Sequence, residues 1–186
     1  MHKRFYGGVS HVLGDVGSFE IDGNKLAKGI SGDVIYADGA LVVAAAEDTH
    51  LGRLYVLEAE ELSAGRQNRI ERCRYPLGEE VGVGRVWSSP LVVDGVAYFG
   101  DLDHFVHAVS IETCELVWSA PVELGASVVA APVAIDGTLY VGAFDGIMYA
   151  IDMASGDKQE VFTADSWFWA TPATDGNPCT LTLILK

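Results

Sequence analysis

The 186-residue chain is 49% hydrophobic and 20% charged, which excludes an intrinsically disordered protein and allows a sizeable core. Its formal net charge of −14 repels nucleic-acid phosphates and anionic lipid surfaces, and its longest apolar stretches fall far short of the roughly 20 residues of a membrane span. Neither nucleic-acid binding nor membrane insertion is therefore expected, and a basic or cationic partner is the better fit.

In chain order, residues 1–30 carry only a faint pattern, Gly17-Ser18-Phe19-Glu20-Ile21-Asp22-Gly23, read as the remnant of a preceding β unit. Met1-His2-Lys3-Arg4 is basic, but Phe5-Tyr6-Gly7-Gly8 follows where a signal peptide needs an apolar run, so the chain as written is expected in the cytoplasm. Residues 31–86 hold a degenerate unit: Asp38-Gly39, an apolar run from Ala40 to Ala46, then Gly52-Arg53-Leu54-Tyr55-Val56-Leu57-Glu58. A polar stretch from Glu58 to Glu80, with Arg66, Arg69, Arg72 and Arg74 among the acids, lengthens this unit and is expected to be a tolerated surface insertion.

Residues 87–128 contain Ser89-Pro90-Leu91-Val92-Val93-Asp94-Gly95-Val96-Ala97-Tyr98-Phe99-Gly100. Residues 129–168 repeat it as Ala131-Pro132-Val133-Ala134-Ile135-Asp136-Gly137-Thr138-Leu139-Tyr140-Val141-Gly142. Residues 169–186 begin it again at Thr171-Pro172 and reach Asp175-Gly176. Pro90, Pro132 and Pro172 thus mark a period of about 40 residues. Asp-Gly between apolar runs predicts a type I′ hairpin, which needs positive φ at both central positions. Further turns at Phe144-Asp145-Gly146 and Ala154-Ser155-Gly156-Asp157 bring the count to four strands per period. The expected fold is all-β, built of four-stranded antiparallel β-propeller blades. After Asn177 the pattern gives way to Pro178-Cys179-Thr180-Leu181-Thr182-Leu183-Ile184-Leu185-Lys186, which predicts a truncation or a shifted reading frame. Three to four blades make an incomplete, open propeller, whose edges are expected to self-associate.

The passage Ala108-Val109-Ser110-Ile111-Glu112-Thr113-Cys114-Glu115-Leu116-Val117-Trp118 resembles the Ala-x-Asp-x-x-Thr-Gly-Lys-x-x-Trp repeat of PQQ-like propellers, found in quinoprotein dehydrogenases and BamB-type lipoproteins. Ala150-Ile151-Asp152-Met153-Ala154-Ser155-Gly156 keeps the Ala, the Asp and the Gly of the same pattern. The resemblance implies a tryptophan docked between neighbouring blades. Trp118 fills that role, whereas Glu160 stands at its place in the next unit and leaves the packing beyond it without that anchor. Full-length relatives of this kind work in the periplasm or cell envelope, the address implied if the N-terminus is truncated.

Asp101, Asp103, His104 and His107 are the most metal-like group, but the repeat aligns them with turn and strand positions, so a structural duty is expected, with an imidazole facing the central channel as the alternative. Asp48-Thr49-His50 lacks a Gly-x-Ser-x-Gly partner and is not expected to be catalytic. Glu58, Glu60, Glu61, Glu79 and Glu80 lack the spacing of a calcium loop and are expected to form a solvated face. Trp167, Phe168 and Trp169 are expected to pack the first strand of their unit. Cys73, Cys114 and Cys179 are odd in number, widely spaced and without a CxxC pair, which predicts neither a disulfide framework nor a zinc site.

No catalytic, cofactor-binding or metal residue is assigned on these grounds. The expected function is a non-catalytic scaffold for a protein or peptide partner. The alternative is a fragment of a PQQ-dependent oxidoreductase, with PQQ and calcium as cofactors and an active site in blades outside this chain. A ligand-sensing domain of a larger receptor is the weaker third reading.

Overall fold

The computed structural model describes residues 20–21, 24–25, 33–46, 51–63, 71–78, 83–174 and 181–182. β1 (Glu20–Ile21) and β2 (Asn24–Lys25) form a two-stranded ribbon. The first blade runs β3 (Ile35–Ala37), β4 (Ala40–Ala46), β5 (Leu51–Glu58) and β6 (Glu71–Tyr75), with β7 (Val83–Gly84) also paired to β5. A short helix, α1 (Ala59–Ser63), opens the insertion between β5 and β6. The second blade is β8 (Leu91–Val93), β9 (Val96–Gly100), β10 (Phe105–Ser110) and β11 (Val122–Glu123); the third is β12 (Val133–Ile135), β13 (Thr138–Gly142), β14 (Ile147–Asp152) and β15 (Lys158–Thr163). β16 (Ala173–Thr174) pairs with β17 (Leu181–Thr182). Every pairing is antiparallel, and each blade follows chain order from first strand to fourth. The fold is thus propeller-like, and the described blades do not close into a ring.

Three Asp-Gly pairs among the described residues build first hairpins as their chemistry requires; Asp175-Gly176 lies outside the described residues. Asp38, Asp94 and Asp136 have φ of 47°, 48° and 48°, and Gly39, Gly95 and Gly137 follow at 78°, 75° and 77°. This double positive φ twists with the strands it joins. A second bond recurs with the same period: the N–H groups of Ala59, Ile111 and Met153 donate to the carbonyls of Gly39, Gly95 and Gly137. Each third strand is thereby tied to the turn of its own first hairpin.

Both faces of the central strands are buried, so alternate residues serve different neighbours. On β9, Ala97 and Phe99 join Val42, Ala44, Leu54 and Val56 in a core between the first and second blades. Tyr98 points the other way and meets Leu139, Val141 and Ile151 of the third blade. A side chain of Val or Leu size fully buried here contributes about 1.5–3 kcal/mol. The far face of the first blade is buried as well, through Leu41, Val43, Ala45, Tyr55 and Leu57.

Two close approaches set the spacing of consecutive blades. A Cβ at Gly100 would lie 2.2 Å from Val128 Cγ1, and one at Gly142 would lie 2.6 Å from the Phe168 side chain. Val128 and Phe168 occupy equivalent places on the connections that enter the next blade, and their N–H groups donate to Asp101 and Ala143 carbonyls. Trp118 closes the seam between the second and third blades; it is buried and its indole Nε1 donates to the Met153 carbonyl at 3.0 Å. Glu160, at the corresponding place in the third blade, lies on a strand that is exposed along its whole length.

Candidate functional site

The first strands of the blades, β3, β8 and β12, together with Thr171-Pro172, line a cavity of about 650 Å³. Ser89 Oγ accepts from the Asp33 N–H at 2.8 Å, and Thr171 Oγ1 accepts from the Ala131 N–H at 3.2 Å, so hydroxyls at repeat positions link one unit to the one before it. Among the described lining residues, Asp33 is the single carboxylate. Calcium takes six to eight oxygen ligands. The residues present do not fit a calcium–quinone site, and no group of three or more His, Cys, Asp or Glu side chains converges elsewhere among the described residues.

Of the metal-like group, the structure brings together only Asp101 and His107. His107 Nε2 lies 3.0 Å from Asp101 Oδ2, the ring stacks on Phe99 at 4.9 Å, and the Tyr75 hydroxyl lies 3.3 Å from Nδ1. The imidazole is therefore buried in the interior of the structure. Asp101 also accepts from the N–H groups of Gly84 and Phe105 at 3.1 and 2.9 Å. Asp103 and His104 lie on an exposed turn, where His104 has φ of 79° at the place Gly146 occupies with 78°. Asp48, Thr49 and His50 lie outside the described residues.

The third blade fills the same hole with different chemistry. Tyr149 stands where His107 does and donates to Asp145 Oδ2 at 2.6 Å, while the Gly125 N–H donates to the Tyr149 oxygen at 3.2 Å. Burial, and then the bond to Asp145, push the Tyr149 hydroxyl from its usual 10.0 up to about 12. The folded protein holds this proton more tightly than the unfolded chain. Its stabilisation is accordingly intact below pH 10.0 and lost as pH rises through about 12. Ultraviolet titration should show one tyrosinate appearing only near the top of that window, and Tyr149→Phe should remove that late step.

The cysteines contradict the sequence reading. Cys73 on β6 and Cys114 in the turn after β10 form a disulfide across the first and second blades, with Cα atoms 5.8 Å apart. Spacing concealed the pair, because the two residues are 41 positions apart in chain and adjacent only once the blades stack. Cys179 lies outside the described residues. Beside the disulfide, Asp38, Glu58, Arg72, Asp94 and Glu112 border a cleft of about 740 Å³. Glu58 is not simply solvated there: it receives Arg72 through two bonds of 2.6 and 3.0 Å, and that contact holds its carboxyl below the usual range. Glu60 and Glu61 lie in the first turn of α1, and Glu79 and Glu80 lie outside the described residues. The described part of the insertion is anchored from below by Arg53, which is fully buried and donates to the carbonyls of Pro76 and Gly78.

The aromatic run also departs from expectation. Only Phe168 is buried; Trp167 and Trp169 are 55% and 47% exposed. Both rings meet Phe144, at centroid distances of 5.6 and 4.6 Å, and they lie 6.2 Å from each other. On this connection, which is outside any strand, Phe168 packs inward against Gly142 and its two neighbours face out. The cluster stands beside the turn joining the second and third strands of its blade.

These features define a propeller-like all-β fold. No protein-family model and no curated protein matches the sequence. Among solved structures, the fold is similar to the computationally designed Ika8 protein, with 15% identity over 80% of this chain and a TM-score of 0.61. It is similar to BamB from Moraxella catarrhalis, with 19% identity over 76% of this chain and a TM-score of 0.57. A europium-containing methanol dehydrogenase follows at 15% identity, 67% coverage and a TM-score of 0.50. The chain spans 41%, 38% and 23% of those three structures, respectively. At such identities the likeness is one of fold.

Proposed function

We propose that the chain is a non-catalytic propeller scaffold that binds a protein or peptide partner and works in an oxidising compartment, the periplasm or cell envelope. The observation that carries the first part is the use made of the chemistry-bearing side chains. Asp101, His107, Asp145 and Tyr149 are spent on backbone N–H groups and on one another inside the blades. Large apolar rings are what the surface offers instead. The likeness to BamB is support at the level of fold. The second part rests on the Cys73–Cys114 disulfide, because such bonds persist where thiols are not kept reduced.

The likeness to a methanol dehydrogenase keeps a PQQ-dependent oxidoreductase as the second reading. Titration with PQQ and calcium, followed by quinone absorbance, separates the two. The scaffold reading expects no saturable change, and saturable binding overturns it.

A further inference from the structure

From the Phe144–Trp167–Trp169 cluster we infer the chemistry of the partner: a basic segment whose arginine guanidinium stacks on these rings. The inference rests on the scaffold reading and goes further by naming the docking surface and its ligand. Three aromatic rings in mutual contact, two of them about half exposed, form an extended π surface. Such a surface attracts a cation through the negative faces of its rings, and a planar, weakly hydrated guanidinium suits it better than a compact ammonium.

The chain already uses this chemistry on itself. Trp87 stands at the same repeat position as Trp169, and the Arg85 guanidinium lies 5.4 Å from its ring centroid. Lys158 lies 5.6 Å from the Tyr149 ring, and Arg74 lies 5.8 Å from the Tyr55 ring. Two residues before Trp169, at the place Arg85 holds before Trp87, the sequence has Trp167 in place of a cation. Among the described residues no lysine or arginine covers the Phe144, Trp167 or Trp169 ring. The junction of the third and fourth units therefore presents a ring surface where the junction of the first and second has a capped ring.

Charge complementarity selects the occupant. The chain has 26 acidic against 12 basic side chains. Exposed Asp165 precedes Trp167 by two positions. An anionic segment would be repelled, and a purely apolar one would leave the Asp165 carboxylate and the surplus of acids without a counter-charge.

The test uses a Gly-Ser peptide carrying arginines and its counterpart with citrulline, which keeps the planar shape and removes the charge. Calorimetry should show saturable binding of the arginine peptide, with the citrulline peptide weaker by about threefold to tenfold. Trp167→Ala and Trp169→Ala should each weaken arginine binding by a similar factor, and Trp169→Phe should retain most of it. Should the alanine variants fail to fold, Trp169→Leu keeps apolar bulk without a π face and is expected to bind as weakly. Equal binding of the two peptides, or wild-type binding by folded Trp167→Ala and Trp169→Ala proteins, overturns the proposal. Failure here with a flat quinone titration removes the arginine site and leaves the scaffold. Saturable quinone binding removes the scaffold whatever the peptides do.

Discussion

Replacing Cys114 with glycine should leave a more stable protein than replacing it with alanine or serine, although all three substitutions sever the same bond. Cys114 has φ of 56°, in the left-handed region, at the repeat position where Gly156 has φ of 80°. A non-glycine residue there carries a penalty of about 1 kcal/mol, which glycine avoids. The disulfide offsets that penalty. Closing a loop between residues 41 apart removes unfolded-state freedom worth about 4 kcal/mol. In urea unfolding, Cys73→Ser, Cys114→Ser and Cys114→Ala should each lose stability of that order, while Cys114→Gly recovers about 1 kcal/mol of it. Reduced wild-type protein should fall to the level of Cys73→Ser. Equal stability of the glycine and alanine variants would show that the turn is not held in the left-handed conformation.

The second large effect is expected at Trp118. Its ring packs against Tyr98 at 5.8 Å and lies over Gly156, where an added Cβ would meet the indole at 3.1 Å. Trp118→Ala opens a cavity between the second and third blades and should cost about 3–5 kcal/mol. Trp118→Phe keeps most of the apolar surface and gives up the bond to the Met153 carbonyl, for about 1 kcal/mol beyond any repacking. Denaturant unfolding of the two variants distinguishes packing from hydrogen bonding. A loss below 1 kcal/mol for Trp118→Ala would mean that the seam does not depend on this ring.

The blades could be read from residues because their signals are local. Asp-Gly pairs and strand alternation act within one unit, and the described hairpins at Asp38-Gly39, Asp94-Gly95 and Asp136-Gly137 form with the predicted backbone. The place of Trp118 was legible by another route, the resemblance of the passage Ala108–Trp118 to the PQQ-like repeat. What escaped the sequence depends on contacts between units. The Cys73–Cys114 bond exists only because β6 of one blade meets the turn after β10 of the next. The exposure of Trp167 and Trp169 follows from the inward position of Phe168 against Gly142. A list of aromatic residues does not carry that phase. The pairing of Asp101 with His107 was likewise hidden, since the neighbouring unit draws its carboxylate from Asp145, two positions further along the aligned turn.

Because every blade is hydrogen-bonded in chain order, each has its own ladder and meets its neighbours through packed side chains and a few bonds at the connections, such as the Leu102 N–H to the Arg85 carbonyl and the Phe144 N–H to the Ser127 carbonyl. Such an array opens unit by unit, with cooperativity set by the interfaces between units. The disulfide is the one covalent link across such an interface among the described residues. It fuses the first two blades into a single cooperative block, while the third is joined through the Trp118 seam and the apolar core around it. Hydrogen exchange in the oxidised protein would then divide the molecule unevenly, with the third blade opening by itself and the first two exchanging together. Reduction would make the first two separable. In this protein the redox state of one bond sets the size of the folding unit.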